Sequence, residues 1–258
     1  MSDPLRRRLA AGEVALNAWV TFPGVAAATI LASAGFDAVT VDLQHGEHTE
    51  AGLGEAAEAI ERAGSVPFAR IAWNDPASVM RAVDLGARGL ICPMVSSAEE
   101  ADSFVRYCRY PPRGARSYGP VRSAFGAGRE QTEAANDAVL AFAQIETAEG
   151  WANVEAICST EGLDGVYVGP ADLSLTLGFD GFADLGSTEM RDALARVVEA
   201  CSSGGIVAGI HAPASIDSSV EMARMGFRFI GSAGDREILA GSAAETLERV
   251  RAEGLPGG

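Results

Sequence analysis

Two acids, Glu146 and Asp172, each follow a short apolar run, and the two runs are neighbours along the chain. Carboxylates at adjacent strand ends suit a hard divalent cation, which takes oxygen ligands and keeps open positions for water. The three histidines and four scattered cysteines offer no softer ligand set. Metal-free acid–base chemistry between paired acids is the alternative, but it gives no task to Arg70 or His45. Arg70 lies inside the run PFARIAW, where a charged side chain needs a partner. It is either bound to an interior acid or set to clamp a carboxylate or enolate oxygen, which a guanidinium fork fits. His45 stands three residues after Asp42, and an Asp–His pair orients an imidazole and raises its basicity. His48 reads as a surface residue, and His211 as one that either shapes a pocket or packs. Trp19, Gln144, Ser232 and Asp235 also sit at or just after apolar runs. The segment GPADLS (169–174) reads as a tight turn into a helix start. Its N–H groups, around Ala171 and Asp172, can cradle an anion such as a substrate carboxylate.

These residues need elements that bring them to one place. Eight short β-rich runs occur at 14–20, 38–43, 66–72, 89–94, 141–145, 165–168, 207–211 and 228–232. Each is apolar, as a parallel strand buried on both faces must be. Helical patterns alternate with them. One spans 23–34, with Pro at its start and Gly35 after its end. A second opens on Asp75-Pro76, an N-cap followed by proline at the first helical position, and ends near Gly86. Ser97 and Glu100 have capping-box spacing. Further helices are predicted over 189–203, 214–225 and 235–252. The phrases SAGFDAVTV, DLGARGLIC, TEGLDGVYV and ARMGFRFIG repeat one junction of helix end, glycine turn and strand. Eight such units in 258 residues predict an α/β fold, a single closed (β/α)8 barrel over 1–258. A doubly wound open sheet is the structural alternative, but no GxGxxG follows the first strand. In a barrel, the strand-end residues named above converge on the C-terminal mouth.

Composition narrows the partners. A net charge of −15 repels a phosphate backbone and an anionic membrane surface, so nucleic acid and membrane are both disfavoured. The three arginines near the start precede no apolar stretch of the secretory kind, and no run of about 18 apolar residues exists. Four cysteines without metal spacing read as reduced thiols of a cytoplasmic protein. One segment, 109–136, breaks the rhythm with two prolines in a row, several glycines and five arginines (Arg109, Arg113, Arg116, Arg122, Arg129). It reads either as a solvated or subunit-contact loop or as an anion-recognition loop.

Five motifs then carry a family resemblance: VDLQHG (41–46), ARIAWNDP (69–76), RYPPRGARSYGP (109–120), QIETAEG (144–150) and VGPADLS (168–174). In this order and spacing the chain resembles the HpcH/HpaI aldolases, typified by 4-hydroxy-2-oxoheptanedioate aldolase, from about residue 14 to 247. The resemblance implies a class II pyruvate aldolase, a lyase cleaving 4-hydroxy-2-oxo acids to pyruvate and an aldehyde. It implies Mg2+, Mn2+ or Co2+ held by Glu146 and Asp172, and pyruvate chelating that ion. It further implies that Arg70 stabilises the enolate, that His45 paired with Asp42 handles a proton through water, and that Gln144 lies against pyruvate. Trp19, His211 and a neighbouring subunit are expected to wall the aldehyde side. The assembly implied is a homo-hexamer, a trimer of dimers that exchange the last helix. Related barrels act on citramalyl- or malyl-CoA, and oxaloacetate decarboxylation uses the same enolate chemistry. Gln44 stands where some members have Glu, which removes a charge beside His45.

Overall fold

The computed structural model describes residues 4–119, 129–213 and 215–253. Eight parallel strands close into one barrel in sequence order: β1 (Ala15–Val20), β2 (Ala38–Asp42), β3 (Val66–Arg70), β4 (Gly89–Cys92), β5 (Leu140–Ile145), β6 (Gly165–Val168), β7 (Val207–His211) and β8 (Phe229–Gly234). Each lies on one of the eight predicted runs, β6 and β7 with the same ends and the others with ends moved by at most two residues. Closure comes from the β1–β8 pairing, Leu16 beside Ile230 and Trp19 beside Gly234.

The helices follow the caps in the sequence. Asp75 accepts N–H bonds from Ala77 and Ser78 and opens α4 (Pro76–Asp84). Ser97 caps α5 (Ala98–Cys108) through the Glu100 N–H, while the Glu100 carboxylate accepts from Ser96, one residue earlier than a capping box requires. The others are α1 (Pro4–Ala10), α2 (Val25–Ser33), α3 (Glu50–Arg62), α6 (Arg129–Ala138), α7 (Ala148–Ala152), α8 (Val154–Cys158), α9 (Pro170–Leu177), α10 (Thr188–Gly204), α11 (Ile216–Met225) and α12 (Asp235–Ala252). The helix predicted over 214–225 begins two residues later, because Ser215 caps it, and residue 214 lies outside the described residues. Among the described residues, no helix is long and apolar enough to cross a membrane.

Two apolar layers result. Outward-facing strand residues such as Val39, Leu90 and Ile210 pack under the helices, while Phe68, Phe142, Tyr167 and Phe229 fill the barrel interior. Leu5 and Leu9 of α1 join the interior cluster, so this helix plugs the N-terminal end of the barrel. Helix α12 departs from the pattern. Only Asp235 in it is buried, and Ile238, Leu239, Leu247 and Val250 are exposed.

The arginine-rich segment joins α5 to β5, so its described part lies at the N-terminal end of the strands, opposite the mouth. Its cations are neutralised there. Arg109 is 3% exposed and binds Asp164, Arg113 binds Asp137, and Arg116 binds Asp84 while stacking on Tyr110. The structure thus gives Arg109, Arg113 and Arg116 a scaffolding place and corrects the anion-recognition reading for them. Arg122 and the Arg129 side chain lie outside the described residues.

Candidate active site

Parallel register sets the first pair. Asp42 ends β2 and lies directly beside Arg70, which ends β3, so the two side chains share one face of the barrel. Arg70 grips Asp42 with both edges of its fork, Nε to Oδ1 at 2.9 Å and Nη2 to Oδ2 at 2.6 Å. The backbone N–H groups of Gln44 and His45 add to Oδ1. Burial would raise the Asp42 pKa, but Arg70 and the two amides outweigh it and hold the carboxyl below its usual range. The expected Asp42–His45 side-chain pair is therefore replaced. Asp42 spends its lone pairs on Arg70 and on backbone amides, and the His45 side chain is exposed at the mouth.

The second group forms at the ends of β5 and β6. Gln144 and Glu146 are two residues apart and project to the same side. Glu146 is 2% exposed. Its Oε1 accepts the Met94 N–H at 2.9 Å and its Oε2 accepts Gln144 Nε2 at 2.5 Å. Burial pushes its pKa up to about 7, the Asp172 carboxylate adds to that, and Met94, Arg70 and Gln144 act in the opposite direction. Gly169 makes the approach of β6 possible, since a Cβ there would lie 2.5 Å from Glu146 Oε2 and 2.8 Å from Gln144 Nε2. Asp172 is exposed in the first turn of α9, whose start has no side-chain cap. The N–H groups around Ala171 and Asp172 are thus available to an anion.

This donor set fits a divalent cation. A buried carboxylate meets a second carboxylate, and Gln144 Oε1 is buried without a partner. Among the described residues, no group of three or more His, Cys, Asp or Glu could hold a metal. A site of two carboxylates would leave the other positions to oxygen ligands from substrate and water, as a hard cation accepts.

Trp19 and His211 line the same interior. The Arg70 guanidinium lies 4.7 Å from the Trp19 ring centroid, and the His211 ring meets Trp19 edge-on at 4.9 Å. Burial, and then the Arg70 charge, lower the His211 pKa to about 4, and its Nδ1 is buried without a partner. Two placements were missed from sequence, those of His48 and Tyr167, and one strand-end residue, Asp235, has a structural task. His48, expected at the surface, is a buried residue of the β2–α3 loop, and burial lowers its pKa. Asp235 accepts from the Thr21 N–H, the Thr21 hydroxyl and the Phe22 N–H, so it ties the start of α12 to the end of β1. Tyr167, inside β6, accepts a hydrogen bond from Trp19 Nε1. The signal for Tyr167 was a polar tip within an otherwise apolar strand.

A closed (β/α)8 barrel with two acids, a guanidinium and an uncapped helix start at its C-terminal mouth has the form of an enzyme active site. The family model described as HpcH/HpaI aldolase/citrate lyase matches residues 18–239. The chain is 36% identical over 241 residues to the hydroxypyruvate/pyruvate aldolase of Rhizorhabdus wittichii, covering 93% of this chain and 96% of the relative. It is 36% identical over 184 residues to the 4-hydroxy-2-oxo-heptane-1,7-dioate aldolase of Salmonella typhimurium, covering 70% of each. The crystal structure of a HpcH/HpaI aldolase/citrate lyase family protein from Burkholderia cenocepacia superposes with a TM-score of 0.90 at 32% identity, covering 97% of this chain and 100% of that one. The chain belongs to the HpcH/HpaI aldolase/citrate lyase family and is a carbon–carbon lyase.

Proposed function

We propose that this enzyme is a divalent-cation-dependent aldolase that reversibly cleaves 4-hydroxy-2-oxo acids to pyruvate and an aldehyde. The observation that carries the proposal is the buried Glu146 beside Asp172, across the mouth from the Asp42-held Arg70. Glu146 and Asp172 would hold Mg2+, Mn2+ or Co2+, which when bound would supply Lewis-acid polarisation of the substrate keto group. The N–H groups around Ala171 and Asp172 receive the substrate carboxylate. Gln144 orients the oxo acid from the side of Glu146. His45 accepts the C4 hydroxyl proton through a water. The C3–C4 bond then breaks, the C4 fragment leaves as the aldehyde, and the electron pair passes into the pyruvate enolate. Arg70 meets the oxygen on which that charge develops, with its fork already fixed by Asp42. Protonation at C3 completes pyruvate. Trp19 and His211 wall the aldehyde side.

Two relatives that carry aldolase names support this reading, one for hydroxypyruvate and pyruvate and one for 4-hydroxy-2-oxo-heptane-1,7-dioate. A CoA substrate is less well served. Its phosphates need a basic groove, and Arg109, Arg113 and Arg116 are spent on acids at the other end of the barrel. We also propose a homo-hexamer that exchanges α12, because the apolar residues of that helix lack cover within one chain. Its place is the cytoplasm, where four buried thiols stay reduced.

The test is incubation of 4-hydroxy-2-oxo acids with the enzyme and Mn2+, and of pyruvate with a panel of aldehydes, read by product mass. Pyruvate release without CoA is expected. Turnover of acyl-CoA substrates alone, or of oxaloacetate alone, contradicts the proposal.

A further inference from the structure

We propose that Tyr167 is a positioning residue: its hydroxyl fixes the Trp19 indole, whose face in turn fixes the Arg70 guanidinium toward the substrate. The proposal rests on the aldolase reading for what Arg70 does, but its geometry stands apart from it. Asp42 holds the Arg70 fork from one edge, through Nε and Nη2. Two parallel hydrogen bonds define a hinge line, so the guanidinium plane can still rock about it. The Trp19 ring, 4.7 Å from the guanidinium carbon, closes that freedom from the side.

A shelf of this kind works only if the indole is itself held. Trp19 Nε1 donates to the Tyr167 hydroxyl at 3.0 Å. Tyr167 is fully buried among Phe142, Phe229 and the other interior residues, and its ring meets Phe229 edge-on at 5.9 Å. Burial raises its pKa, so the group is a hydroxyl rather than a phenolate. Phenylalanine would pack beside Phe142 and Phe229 but would lack the oxygen on which the Trp19 N–H, the Asn17 side chain and the Gly231 backbone all bear.

Residue 231 supplies the second observation. Gly231 in β8 faces these groups, and a Cβ there would lie 2.3 Å from the Tyr167 oxygen, 2.9 Å from Trp19 Nε1 and 3.1 Å from His211 Nδ1. Three polar atoms from three strands thus converge on the space that a side chain would fill. Gly231 lies beside Asn17 of β1 and His211 of β7, so the cluster is built into the barrel wall and not into a mobile loop.

The experiment uses Tyr167→Phe in the full chain, with two readouts. In protein carrying 15N-arginine, the Arg70 Nε–H signal, assigned by its loss in Arg70→Lys, reports the ring current of Trp19 without any substrate. We expect Tyr167→Phe to move or broaden that signal while melting stays within a few degrees of wild type. In the methyl-proton exchange of pyruvate with Mn2+, we expect kcat to fall by about tenfold with KM changed less than twofold, the size of loss that a sub-ångström misplacement gives. In the Arg70→Lys background, Tyr167→Phe should cost nothing further, because its effect passes through Arg70. An unmoved Arg70 signal, an unchanged kcat, or losses that multiply in the double variant overturns the proposal. If the wild type exchanges no methyl protons, the aldolase reading fails, and the Arg70 signal alone decides the positioning claim.

Discussion

Asp164 at the N-terminal end of the barrel and Glu146 at the C-terminal mouth are held in opposite ways. At the N-terminal end, Asp164 receives Arg6 on Oδ1, and Arg109 and the Ala141 N–H on Oδ2. At the C-terminal mouth, Glu146 receives one amide and one carboxamide, forms no ion pair, and faces Asp172. An acid with two guanidinium partners is a strut. An acid left beside another acid is poised for a cation that arrives from outside. The chain is 35 acidic against 20 basic residues, so its described arginines matter by where they are placed. Apart from Arg70, those of this comparison stand at the closed end.

The largest expected break in this contrast is at the mouth. Glu146→Gln or Asp172→Asn should lower pyruvate release by about a thousandfold or more, since Lewis-acid stabilisation is worth several kcal/mol. Glu146→Gln should also abolish any rise in melting temperature on adding Mn2+, which a thermal shift reads without substrate. Arg70→Ala should lower kcat by about 100-fold to 1000-fold, the loss typical of one donor to developing charge, with little change in KM. A KM effect alone would remove Arg70 from the bond-breaking step.

At the closed end the same kind of change should act on stability instead. Arg109→Ala takes a buried cation from Asp164 and should cost about 3 kcal/mol of folding free energy. Per-site activity should be unchanged, as denaturant melts and kcat measured on one sample would show. A loss of kcat without a loss of stability would erase the distinction between the ends.

The smallest effect concerns pH. His211 is held near a pKa of about 4, chiefly by burial and then by Arg70. Between the ordinary imidazole range and that value, the unfolded chain binds a proton that the folded chain refuses. Stability contributed above the ordinary range is therefore lost as pH falls toward 4. The groups that bear on this ring are Arg70, Glu237 and Asp42. His211→Gln should flatten the acid side of a melting-temperature profile, whereas an unchanged profile would mean that the ring protonates without strain.

The same contrast explains what could be read from the chain beforehand. Eight apolar runs with glycine junctions made the barrel legible, because burial on both faces leaves a local mark. The polar residues that followed the runs gave the mouth its acids and its arginine. The partner of Asp42 was not legible: Arg70 is 28 positions away, and only the parallel register sets the two side by side. The arginine-rich segment left two readings open for a related reason. A sequence shows five cations, but two of the acids that neutralise them, Asp84 and Asp164, come from distant elements, and Asp137 pairs with Arg113 only once α6 is folded back. His48 gave no sign of burial, since the β2–α3 loop that carries it has no periodicity to read.

The central claim is that Glu146 and Asp172 hold a cation that, with Arg70, lets this chain form a pyruvate enolate. It is tested most directly by the exchange of pyruvate methyl protons in deuterated water, which needs no knowledge of the aldehyde. The account predicts exchange with Mn2+ or Mg2+, none with EDTA, and none in Glu146→Gln. Full exchange in EDTA, or in Glu146→Gln, would contradict it.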